Sequence, residues 1–84
     1  MQFADESGVI LIVDDDRLVR EALSVVVSSL GYHSLIASGG QEAIHILKKQ
    51  KCDIVLCDLV MPRMDGMELL KHIIKHHSDT DVII

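Results

Sequence analysis

Asp14, Asp15 and Asp16 close one apolar run of the 84-residue chain, and Asp58 closes another. Carboxylates gathered at one place repel one another and cost free energy unless a cation offsets them. Hard oxygen donors with room for water suit Mg²⁺, which keeps much of its hydration and takes one or two carboxylates plus a phosphate. Side chains alternate along a strand, so the neighbours Asp14 and Asp15 cannot both point one way within it. One of them is expected to ligate directly and the other through water or from a turn. Asp16 is better used as a helix cap. Taken alone, three acids after a strand can also simply decorate a helix N-terminus, whose dipole favours negative charge.

The elements that must position these acids are legible from hydrophobic period. Val9–Val13 and Ile54–Cys57 are continuous apolar runs of the kind found in strands covered on both faces. Asp16 is expected to cap a helix whose apolar positions Val19, Ala22, Leu23, Val26 and Leu30 follow helical spacing, with Gly31 as the stop. A weaker strand follows at 34–37. Ser38 is expected to cap a second helix carrying Ala43, Ile44 and Leu47, which fades into Lys48-Lys49-Gln50-Lys51. A third helix begins near Gly66 with Leu69, Leu70, Ile73 and Ile74 on one side, and Val82-Ile83-Ile84 starts a fourth strand. The order βαβαβαβ calls for an α/β fold, a parallel sheet with helices on both faces. Right-handed crossovers then favour the strand order 2-1-3-4. The chain reverses direction between the first and third strands, and the crevice this opens at their carboxyl ends is where Asp14, Asp15, Asp16 and Asp58 fall.

Between Asp58 and the third helix, Pro62 fixes φ and Gly66 permits a tight turn or an unhindered helix start. Asp65, beside that glycine, reads as a turn or cap residue rather than a further ligand. Together, Val9-Ile10-Leu11-Ile12-Val13-Asp14-Asp15-Asp16 and Asp58-Leu59-Val60-Met61-Pro62-Arg63-Met64-Asp65-Gly66 resemble the receiver domain of two-component response regulators. The two motifs stand in the family's order, and the similarity runs from Val9 to Ile84.

The resemblance implies a flavodoxin-like doubly wound parallel sheet. It implies that Asp58 is the phosphoacceptor, a carboxylate that attacks phosphorus and becomes an aspartyl phosphate. It further implies that Asp15 binds Mg²⁺ directly, that Asp14 holds the metal through water, and that the backbone carbonyl of Val60 completes the site. A phosphohistidine on a sensor histidine kinase or phosphotransfer protein, or a small acyl phosphate, is then the donor, and the chain is a signalling module rather than a turnover enzyme. Residues 1–8 read as an N-terminal extension and 9–84 as the first three and a half of the family's βα units. The family's hydroxyl residue beyond the fourth strand, its lysine ending the fifth strand, and its last helices have no counterpart here. Phosphorylation without normal switching is therefore expected, together with self-association through the exposed edge and face of the sheet.

Two rival readings come from other classes. Mg²⁺-dependent phosphatases and phosphotransferases also use an aspartate after a strand, but tend to place a second acid two residues later, where this chain has Val60. A pure interaction module would keep the fold and take no acyl phosphate.

The remaining candidates have plainer explanations. His72 and His76 are spaced to clamp a transition metal, but with Lys71 and Lys75 beside them they read as a solvated face. Met61, Met64 and Met67 read as packing and loop shape, and Lys48, Lys49 and Lys51 as a helix end whose dipole favours positive charge. Cys52 and Cys57 are expected to be reduced, buried thiols on opposite faces of a strand. Thirteen acidic against eight basic residues give a net charge of −5, which argues against direct nucleic-acid contact and against an anionic membrane surface. With 49% hydrophobic residues but one Phe, one Tyr and no Trp, the core must be aliphatic. No apolar run approaches the roughly 20 residues of a membrane span, and the first residues lack a signal-peptide pattern, so a cytoplasmic location is expected.

Overall fold

Five consecutive aliphatic residues build β1 (Val9–Val13), which lies inside the sheet and has its last four side chains buried. In the computed structural model, which describes residues 8–58 and 66–84, it is followed by α1 (Arg17–Ser29), β2 (His33–Ala37), α2 (Gly40–Lys49), β3 (Ile54–Cys57), α3 (Gly66–His76) and β4 (Asp81–Ile83). The four strands form one parallel sheet in the order β2-β1-β3-β4. The expected topology is therefore observed, with β2 and β4 each beginning one residue earlier than the sequence pattern suggested.

Strand alternation divides the core in two. Leu11, Val13, Ala37, Val55 and Cys57 point to the face covered by α2 and α3, where they pack with Ala43, Leu47, Leu69 and Ile73. Ile10 and Ile12 point to the other face, under Val27 and Leu23 of α1, with Ile54 and Leu56 beside them. Between Tyr32 and α1 the chain turns at Gly31, whose φ of +96° is strained for any residue with a Cβ.

The two faces are not covered equally. Across the row Ile12, Leu56, Ile83 on the α1 face, registered from β1 to β4, exposure rises from 0% at Ile12 to 52% at Ile83. Helix α1 lies over β1 and β2, where the Ser24 and Ser34 hydroxyls meet at 2.7 Å, and leaves β3 and β4 open on this face. This corrects the expected core of α1. Val19, Val26 and Leu30 are 37%, 53% and 66% exposed and Ala22 is also exposed, while Val27 is the residue of this helix that is buried. The apolar stripe is real, but apart from the half-buried Leu23 it runs along an exposed flank of α1. In α3, Leu69 and Ile73 are buried as expected, whereas Ile74 is exposed.

Two further expectations change. The second helix is capped at Gly39 rather than Ser38, and Ser38 acts in the opposite sense: its N–H and hydroxyl both donate to Glu42 Oε1, at 2.8 and 3.0 Å. These bonds hold the Glu42 carboxyl below its usual pKa, the backbone donor contributing most. Cys52 precedes β3, so alternation does not separate it from Cys57; both thiols are free and buried in the same core cluster.

Candidate functional site

Val13 and Cys57 are register partners in adjacent parallel strands, so the next residues, Asp14 and Asp58, leave the sheet side by side. The ladder holds both: the Asp14 N–H donates to the Ala37 carbonyl at 3.2 Å, and the Asp58 N–H to the Val13 carbonyl at 3.4 Å. Asp14 and Asp58 line one cavity of about 280 Å³ on the α1 face, walled by Leu23, Leu56, Ile83 and Ile84. It lies at the carboxyl ends of the strands where the order reverses, as the sequence led us to expect.

The β1–α1 turn arranges the remaining acids. Asp14 is half-buried, and its Oδ1 accepts the Asp16 N–H at 2.9 Å, which folds the turn back on itself. Asp16 Oδ1 accepts the N–H groups of Leu18 and Val19 at 2.9 and 3.4 Å, so Asp16 is the helix cap the sequence predicted. Asp15 and Asp58 are exposed. The structure thus brings Asp14 and Asp58 to one cavity and sets Asp15 in the turn beside it. Among the described residues, no three His, Cys, Asp or Glu side chains form a group placed to hold a metal ion. Val60, Asp65 and the methionines Met61 and Met64 lie outside the described residues.

Two features went unnoticed in the sequence. Arg20 Nη1 donates to the Asp14 carbonyl at 2.8 Å, tying the first turn of α1 to the acidic turn. Its position four residues after the cap was the available signal. The second feature is Cys57, whose thiol is pushed up to about 11, first by burial and then by the charges of Asp58 and Asp14. Among the described residues, the carboxylates of Asp14 and Asp58 reach the cavity at this end of the sheet.

Comparison with known proteins decides the family. Residues 10–84 match the sequence profile of the response regulator receiver domain. The chain belongs to this family. The receiver domain is 39% identical over 75 residues to the Regulator of RpoS of Escherichia coli K12, an alignment spanning 89% of this chain and 22% of that protein. It is 37% identical over 75 residues to the response regulator MprA of Mycolicibacterium vanbaalenii, spanning 89% of this chain and 32% of that one. The receiver domain thus spans between a fifth and a third of these relatives. Among solved structures, it resembles the response regulator TrrA of Thermotoga maritima in complex with Mg²⁺-BeF, at 33% identity and a TM-score of 0.83, covering 90% of this chain and 66% of that one. A receiver domain protein from Clostridium thermocellum gives a TM-score of 0.84 at 29% identity, covering 92% of this chain and 63% of the other. Among the described residues, no helix is long and apolar enough to cross a membrane.

Proposed function

We propose that this receiver domain accepts a phosphoryl group on Asp58 from the phosphohistidine of a sensor histidine kinase or phosphotransfer protein. The observation that carries the reading is the placement of Asp58, exposed at the end of β3 and directly beside Asp14 at the end of β1. An oxygen of Asp58 attacks phosphorus, the bond from phosphorus to the donor imidazole nitrogen breaks, and that nitrogen keeps the electron pair. The product is an aspartyl phosphate, formed once per domain, so the domain acts stoichiometrically and not as a turnover enzyme.

The donor set fits Mg²⁺: carboxylate oxygens from two neighbouring strand ends, with Asp15 and Asp58 open to water. Asp14, Asp15, Asp58 and the Val60 carbonyl would hold the ion, and the TrrA structure with Mg²⁺-BeF supports that assignment by family likeness. When bound, the ion neutralises charge developing on the transferring phosphoryl group. The chain's own contribution is orientation. The ladder bonds of Asp14 and Asp58 fix the backbone from which the two carboxylates project, and the Asp14–Asp16 turn and Arg20 tie the start of α1 to it.

Self-association is supported by the open half of the α1 face and by the exposed Ile83 and Ile84 beside it. Replacing Ile83 by lysine is expected to shift sedimentation towards the monomer; an unchanged distribution would contradict that part of the reading. A cytoplasmic location agrees with a kinase donor.

Mg²⁺ titration tests the site. Saturable binding that is lost in Asp15→Asn and weakened in Asp58→Asn is expected, together with Mg²⁺-dependent transfer from a histidine kinase. Binding indifferent to both substitutions, or repeated turnover of a phosphorylated substrate, would refute the assignment.

A further inference from the structure

At the end of the domain opposite the aspartates, α3 runs out in three histidines. The ring centroids of His72 and His76 are 4.8 Å apart, those of His72 and His77 5.1 Å, and those of His76 and His77 6.4 Å. The rings of the one-turn pair His72 and His76 have the nearest centroids, but the ring nitrogens that meet are those of His72 and His77. His72 Nε2 and His77 Nε2 stand 3.2 Å apart; His77 follows the last residue of α3, and its N–H still donates to the Ile73 carbonyl at 2.7 Å, so its backbone is held against the final turn.

Two neutral imidazoles at this separation can share one proton, or they can share a metal. Bonds of about 2.0–2.1 Å from zinc to each nitrogen separate the two nitrogens by roughly 2.9 Å at a right angle and roughly 3.4 Å at the tetrahedral angle. The observed 3.2 Å lies between these limits. We propose that His72 and His77 form a two-nitrogen chelate for a borderline divalent transition metal such as Ni²⁺, Cu²⁺ or Zn²⁺, separate from the acidic Mg²⁺ site.

The chemistry around the pair favours the neutral, ligating form. The His72 ring is held below its ordinary pKa by burial first, then by His76, His77 and Lys48. A ring that stays neutral keeps a lone pair for a metal without first losing a proton. His72 and His77 are both half-buried residues, partly open to solvent. Among the described residues no third His, Cys, Asp or Glu joins them to make a larger ligand group, so water fills the remaining positions. Imidazole suits these metals and not Mg²⁺, which keeps the two sites chemically distinct.

The test is titration of the whole 84-residue chain with Ni²⁺ and Zn²⁺ in excess Mg²⁺, read by calorimetry and by the histidine ring signals in NMR. One equivalent is expected to bind, Ni²⁺ and Zn²⁺ shifting the His72 and His77 rings together. His72→Gln and His77→Gln should each weaken binding by about tenfold or more, the loss expected when one of two metal bonds is removed. His45→Gln, an exposed control on α2, should leave it unchanged, and His76→Gln should change it far less than the other two. Absence of saturable binding, binding abolished by excess Mg²⁺, or binding that survives both the His72 and His77 substitutions would overturn the proposal. Equal dependence on His76 would overturn the assignment to this pair.

Discussion

Thr80 sits just before β4, 9% exposed, and its hydroxyl donates to the Cys52 carbonyl at 2.6 Å. That bond ties the entry of β4 to the entry of β3, the strand that carries Asp58 at its other end. Thr80→Val keeps the shape of the side chain and removes the donor. The Cys52 carbonyl, on a fully buried residue, is then left without that partner at a cost of about 1–3 kcal/mol. The methyl that replaces the hydroxyl returns up to about 0.8 kcal/mol through burial. A net loss of about 0.2–2 kcal/mol remains, which for a domain of this size lowers Tm by up to roughly 12 °C. Thr80→Ser keeps the hydroxyl and loses one methyl, about 1 kcal/mol with little room for a cavity. Both variants should therefore be less stable than the parent, measured as denaturation midpoints at constant m-value. In the valine variant the Asp81 amide, which donates to the Asp53 carbonyl at 2.9 Å, should also exchange faster. A valine variant as stable as the parent, with unchanged exchange at the Asp81 amide, would refute the claim that the Thr80 hydrogen bond holds this corner.

Two further perturbations probe the local chemistry. Asp16→Ala removes the acceptor for the Leu18 and Val19 N–H groups and should cost about 1 kcal/mol, seen as a lower denaturation midpoint, while Asp16→Asn should lose little. Glu42→Gln tests a pH effect. The folded-state pKa of Glu42 is depressed by Ser38, so its contribution is present above the unfolded pKa and is lost as pH falls through the lower folded value. Because the group is exposed, the parent should exceed the glutamine variant by only about 0.5 kcal/mol at neutral pH, and the two should converge in acid. A gap that widens as pH falls would reverse the sign of the argument.

The placement of the acids was legible in the sequence because it depends on topology. Two apolar runs that each end in aspartate, in a βαβ chain with right-handed crossovers, must bring those aspartates to neighbouring strand ends, and Asp14 and Asp58 are found there. The cap at Asp16 was legible because it is set within four residues. Features that depend on where a helix rests on the sheet were not. The stripe Val19, Val26, Leu30 has core periodicity, yet periodicity fixes only which residues share a flank, and α1 settles over β1 and β2 so that this flank is left open. Ser38 was misread because the glycine after it takes the cap, leaving serine to donate to Glu42. His77 was missed as a partner of His72 because five residues is not a helical neighbour spacing; the pair forms only where the chain leaves α3.

The central claim is that Asp58 is the acceptor, and its most direct test is to map the label. The domain is treated with a small acyl phosphate and Mg²⁺, the acyl linkage is trapped by reduction, and the modified residue is located by peptide mass spectrometry. One phosphoryl group per chain, at Asp58, absent without Mg²⁺ and absent in Asp58→Asn, is the predicted result. Labelling at Asp14 or Asp15, or a Mg²⁺-dependent label that persists in Asp58→Asn, would contradict it.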